Sequence, residues 1–129
     1  MREINVQDII SNVKEICILA NHYLSDDMCE KLKSVTNTEE SDLGKKILNQ
    51  LQENLEIADK ETIPICQDTG MAIFFVELGQ DAHISGGLLT DAINEGVRQG
   101  YTDGYLRKSV VGDPIERVNT KDNTPAIIH

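Results

Sequence analysis

Tryptophan is absent from this chain, aromatic residues make up only 4% of it, and prolines and cysteines number three each. Each scarcity excludes something. The three cysteines, Cys17, Cys29 and Cys66, are an odd number without a C-x-x-C pair, which disfavours a disulfide framework and fits a reducing, cytoplasmic setting. Basic residues are outnumbered, 12 Lys+Arg against 22 Asp+Glu, and a net charge of -10 argues against nucleic acid or an anionic membrane as partner. No apolar run reaches the length of a membrane span, and Met1-Arg2-Glu3-Ile4-Asn5 lacks the regions of a signal peptide. The 129 residues are one domain's worth of chain, enough to bury a core without metals or disulfides.

What is there first is helical periodicity. Apolar residues recur at helix spacing from Val6 to Leu24 behind Asn5 as an N-cap, then from Ser25 through Met28, Cys29, Leu32 and Val35. A third series opens at Ser41 and continues through Leu43, Ile47, Leu48, Leu51, Leu55 and Ala58. The period then changes. Met71 to Leu78 is a continuous apolar run with the length of a strand buried on both faces, and Ala82 to Ser85 forms a second short extended piece. Gly86-Gly87 leads into a helix expected to end at Gly100. The expected fold is α+β: a helical layer over residues 1–62, then a small mixed sheet with a helix over 63–129. Ala126-Ile127-Ile128-His129 reads as a strand without a terminator, so the sequence is expected to be a fragment of a larger domain, or its partner strand lies elsewhere.

The chemistry concentrates between these halves, at Pro64-Ile65-Cys66-Gln67-Asp68-Thr69-Gly70. Such a stretch is poorly suited to a helix interior and reads as a loop opening onto a strand. Cys17 and Cys29 lie on helical stripes and read as small buried hydrophobes, whereas Cys66 in a loop can reach a metal, a substrate or solvent. Asp68 can act as acid, base or hydrogen-bond partner and Gln67 can fix a polar ligand, although Gln67-Asp68-Thr69-Gly70 is equally a polar turn. Arg107 is suited to hold a carboxylate in bidentate fashion or, more blandly, to solvate a surface, and Arg117 is a weaker candidate of the same kind. No histidine has a partner at zinc-ligand spacing.

Taken in order, Ile65-Cys66-Gln67-Asp68-Thr69-Gly70, Gly96-Val97, Leu106-Arg107-Lys108-Ser109 with Asp113-Pro114, and Asn119-Thr120-Lys121-Asp122-Asn123-Thr124-Pro125-Ala126 resemble a known family. It is the N-terminal part of the class I, iron–sulfur-dependent fumarases, in particular the alpha subunit of two-subunit fumarate hydratases and L-tartrate dehydratases. The resemblance implies a hydro-lyase interconverting fumarate and malate in the tricarboxylic acid cycle, with a [4Fe–4S] cluster held by three cysteines. By position it implies that Cys66 is the first cluster ligand, that Gln67 and Asp68 face the substrate with Asp68 in the catalytic group, and that Arg107 binds a substrate carboxylate. It also implies that the other two cluster cysteines lie beyond residue 129, that the base comes from a C-terminal domain or beta subunit, and that the assembly is an oligomer. L-Tartrate dehydration is the alternative chemistry. A non-catalytic interaction module that docks a partner subunit is the alternative of a different class, and the 129 residues alone are expected to be inactive.

Overall fold

The computed structural model describes all 129 residues, arranged as β1 (Arg2–Asn5), α1 (Val6–His22), α2 (Asp26–Thr38), α3 (Asp42–Glu61), β2 (Ile73–Phe74), β3 (Ala82–Ser85), α4 (Leu89–Asp103) and β4 (Ile127–Ile128). The α+β expectation holds. Both sheets are two-stranded and parallel, β1 with β3 and β2 with β4. No helix is long and apolar enough to cross a membrane.

The chain forms two compact units, one of residues 1–19 with 67–129 and one of residues 20–66. In the first, β1 runs beside β3 in the register Arg2 to Ala82 through Asn5 to Ser85. Asn5 then caps α1 as expected, its Oδ1 accepting the Gln7 amide at 2.9 Å. The sequence expectation had nothing but helix before Cys66, so β1 is a correction. Its four residues are too short, and three of them too exposed, to leave an apolar alternation.

The core of this unit is Val13, Cys17, Ala72, Ile93, Val97, Tyr101 and Leu106, with Ile9, Phe74, Leu89, Ala126 and Ile128 at its edge. Close approach of α1 and α4 makes it possible. Gly96, Gly100 and the C-cap Gly104 recur one turn apart on α4. A Cβ on Gly96 would lie 2.6 Å from the Cβ of Val13 and 2.9 Å from the carbonyl oxygen of Ile10, and one on Gly100 would lie 2.9 Å from the Cβ of Cys17. Only a missing side chain lets the two backbones come so near. α4 ends at Asp103, three residues past the expected Gly100.

Two expectations for the strands are corrected. Met71 to Leu78 is not a strand buried on both faces: only Ile73–Phe74 is strand, and Phe75 is 83% exposed. Pairing on one side alone explains this, because the ladder runs only to β4, from Ile127 N to Ala72 O, His129 N to Phe74 O and Val76 N to His129 O. The strand beginning at Ala126 therefore has its partner within this chain.

In the second unit α2 and α3 form a helical hairpin. Ser41 is the N-cap of α3, its Oγ accepting the Gly44 amide, and Gln52 Nε2 donates to Thr36 Oγ1 at 2.8 Å across the hairpin. The hairpin is thinly cored. Of α3 only Ala58 is fully buried, while Leu43, Ile47 and Leu51 stay exposed on their shared stripe. Cys29, expected as core, is half-buried.

Candidate functional site

The backbone before Cys66 is fixed within the helical unit. Ile65 donates its amide to the carbonyl of Asn21 at 2.9 Å, and its own carbonyl accepts from Asn54 Nδ2 at 2.8 Å. Helix α3 itself stops at Thr62, in the left-handed region with φ 54°, and the Ile63 amide returns to Ala58 O. A loop follows, as expected, and in it Cys66 is exposed. Cys17, by contrast, is 5% exposed, and burial pushes its thiol up to about 11. Burial thus holds Cys17 as the thiol, whereas the thiolate is the form that binds metal or attacks as a nucleophile. No group of three or more His, Cys, Asp or Glu side chains is arranged to hold a metal ion.

Gln67 and Asp68 open the other unit, both exposed. The turn they begin is tied down from three directions. The Asp68 carboxylate accepts the Gly70 amide over a long 3.4 Å, the Thr69 carbonyl accepts the Tyr101 hydroxyl at 2.9 Å, and the Gly70 carbonyl accepts from Asn123 Nδ2 at 3.1 Å. Gly70 sits at φ 59°, a conformation that favours glycine.

Arg107 lies exposed just after the buried Leu106. Its carbonyl accepts the Thr69 hydroxyl at 3.1 Å, so the turn of Asp68 and the loop of Arg107 are in direct contact across 38 residues of sequence. Two residues later the amides of Ser109 and Val110 both donate to Asn123 Oδ1, at 2.7 and 3.0 Å. Within this unit the structure thus brings together the segments of Gln67, Asp68 and Arg107. Arg117 stands elsewhere, at φ 56° in the turn that Asp113 caps by accepting the Ile115 and Glu116 amides; those two bonds, Glu116 first, hold the Asp113 carboxyl below its usual range.

Sequence reasoning missed Asn123 as more than a turn former. It is fully buried, adopts φ 65°, and spends its side chain on three backbone groups. A signal was present in its type: asparagine is among the few non-glycine residues that tolerate the left-handed region, and it carries a donor and an acceptor together. The same segment uses Asn119 and Asp122 similarly, Asn119 Nδ2 donating to Lys108 O and Asp122 Oδ1 accepting from Thr124. The Thr124–Pro125 peptide is cis.

A cavity of about 300 Å³ lies in the helical unit, lined among others by His22, Cys29, Lys33, Glu56 and Asp59. His22 is 5% exposed and its Nε2 has no hydrogen-bond partner.

Within the unit of residues 1–19 and 67–129, an exposed amide and carboxylate on a pinned turn and an exposed arginine on the loop bonded to it are residue types suited to binding a carboxylic acid. The profile of the fumarate hydratase (Fumerase) family matches residues 10–129, and the chain belongs to that family. Curated relatives agree. The L(+)-tartrate dehydratase alpha subunits of Escherichia coli and Shigella sonnei are each 30% identical over 128 residues, 96% of this chain and 42% of theirs. A Methanocaldococcus jannaschii protein assigned provisionally to the same subunit type is 34% identical over 102 residues, 78% of this chain and 35% of its own. The chain therefore spans between 35% and 42% of the length of these relatives.

Proposed function

We propose that this chain is the N-terminal part of the alpha subunit of an iron–sulfur hydro-lyase that adds water reversibly to fumarate to give malate. The observation that carries the reading is the bond between Thr69 and Arg107, because it sets an arginine beside the turn of Gln67 and Asp68. Arg107 grips one substrate carboxylate through its planar fork, and Gln67 donates a hydrogen bond that orients the same end of the substrate. Asp68, acceptor-only when ionised, takes a hydrogen bond from the substrate hydroxyl or holds a proton beside it.

Cys66 suits a cluster in the chemistry of its donor, since a solvent-accessible thiol is the soft ligand that iron–sulfur centres take and the buried thiol of Cys17 is not. When bound, the [4Fe–4S] cluster supplies a Lewis acid that helps the hydroxyl leave. This chain offers one cysteine ligand to it, and the others come from outside these 129 residues, as does the base, from the remaining polypeptide or a beta subunit.

L-Tartrate is the second reading, favoured by the names of the relatives at 30% identity. Its extra hydroxyl is one more group for Gln67 or Asp68 to hold. The complete enzyme, assembled anaerobically with iron and sulfide, is to be assayed on fumarate, malate and L-tartrate. Turnover of fumarate in preference supports the first reading, turnover of L-tartrate the second, and turnover of none of them contradicts both.

A further inference from the structure

We propose that Asn123 is a positioning residue for the dicarboxylate site, holding the turn of Gln67 and Asp68 in fixed register with the loop of Arg107. The inference rests on the functional reading above and deepens it. The groups that grip a carboxylate and the hydroxyl beside it act on one rigid substrate, so they must keep a constant separation, and a misplacement of about 1 Å costs on the order of 10²-fold in rate. The turn and the loop are sequence-distant, and neither is part of a regular element that could keep that separation. Asn123 supplies it. From a position with no exposed surface it accepts from the amides of Ser109 and Val110 and donates to Gly70 O, so one rigid amide spans both segments. Thr69 Oγ1 to Arg107 O and Tyr101 OH to Thr69 O close the same junction from its other side.

Every one of these bonds ends on backbone. The side chains of Gln67 and Arg107 remain exposed beside it, which is where a ligand meets them. A buried amide retained only for stability need not join these two segments. This one joins no others.

The test uses the complete enzyme with fumarate as the probe. Asn123→Asp keeps the acceptor for Ser109 and Val110 but replaces the donor to Gly70 O with an oxygen that repels it. Thr69→Val removes the hydroxyl bond to Arg107 O at nearly constant volume, and it carries the test should Asn123→Asp fail to fold. Both variants are expected to lower kcat/KM about tenfold or more while cluster iron content is unchanged. Both are also expected to lose most of that effect in an Arg107→Ala background, because a clamp matters only while it has a group to place. Loss that adds in full to that of Arg107→Ala, or kinetics unchanged in both variants, overturns the proposal and leaves the functional reading standing. Wild-type kinetics in Arg107→Ala itself overturns the functional reading and takes the clamp's role with it.

Discussion

Replacing Gly96 by alanine puts one methyl group where α4 touches α1. In an exposed helix the change stabilises by about 1 kcal/mol, because alanine loses less backbone entropy than glycine. Here the new Cβ would meet Val13 Cβ and Cγ1 at 2.6 Å and Ile10 O at 2.9 Å. Two of these neighbours cannot step aside: one is backbone, and the other is the branch point of a side chain stiff at χ1. Overpacking of that kind costs up to about 3 kcal/mol, so the net loss is about 2 kcal/mol and the melting temperature falls by roughly 8 °C at ~4 °C per kcal/mol. Thermal unfolding followed by circular dichroism reads it directly. Gly79→Ala is the control, since nothing lies within 4 Å of a Cβ there, and its melting temperature should not fall. A Gly96→Ala protein as stable as the parent would refute the close approach of α1 and α4.

Three more outcomes follow from the site and its surroundings. Arg107→Ala in the complete enzyme should lower kcat/KM for the dicarboxylate by about 10- to 150-fold, the worth of charge-assisted hydrogen bonds of ~1.5–3 kcal/mol, with Arg107→Lys recovering only part of it. An unchanged kcat/KM removes Arg107 from the site. Burial raises the Cys17 thiol from about 9 to about 11, so the unfolded chain ionises first; the stability from keeping it neutral is complete below pH 9 and is lost as pH rises towards 11. Urea midpoints should decline across that window and decline less in Cys17→Ala, and parallel declines would contradict the assignment. His22→Leu removes a buried nitrogen without a partner and should raise stability by about 1 kcal/mol, read as the urea midpoint; a lower midpoint would mean that the imidazole is satisfied.

The helices were legible in sequence because period and caps agree. Ser41 both looks like and is an N-cap, and Val13 and Cys17 sit on the buried stripe that their spacing indicates. What escaped was non-local. β1 is recognisable only through its ladder to β3, some 80 residues away. The Met71–Leu78 run has apolar content that demands burial, yet Phe75 stays exposed because no strand pairs beyond Phe74 except at Val76. At the site, the residue types of Cys66, Gln67, Asp68 and Arg107 were legible from their loops, but not the bond that joins two of those loops. Asn123 shows why: its turn-forming character is local, while its bond to Gly70 spans 53 residues.

The central claim turns on one thiol. Wild-type and Cys66→Ser forms of the complete enzyme, reconstituted side by side with iron and sulfide, are to be compared for cluster iron and for fumarate hydration. Because Cys66 is exposed, the serine variant should fold with stability within about 0.5 kcal/mol of the parent, yet lose its cluster signal and its turnover together. A folded Cys66→Ser enzyme that keeps both would contradict the account.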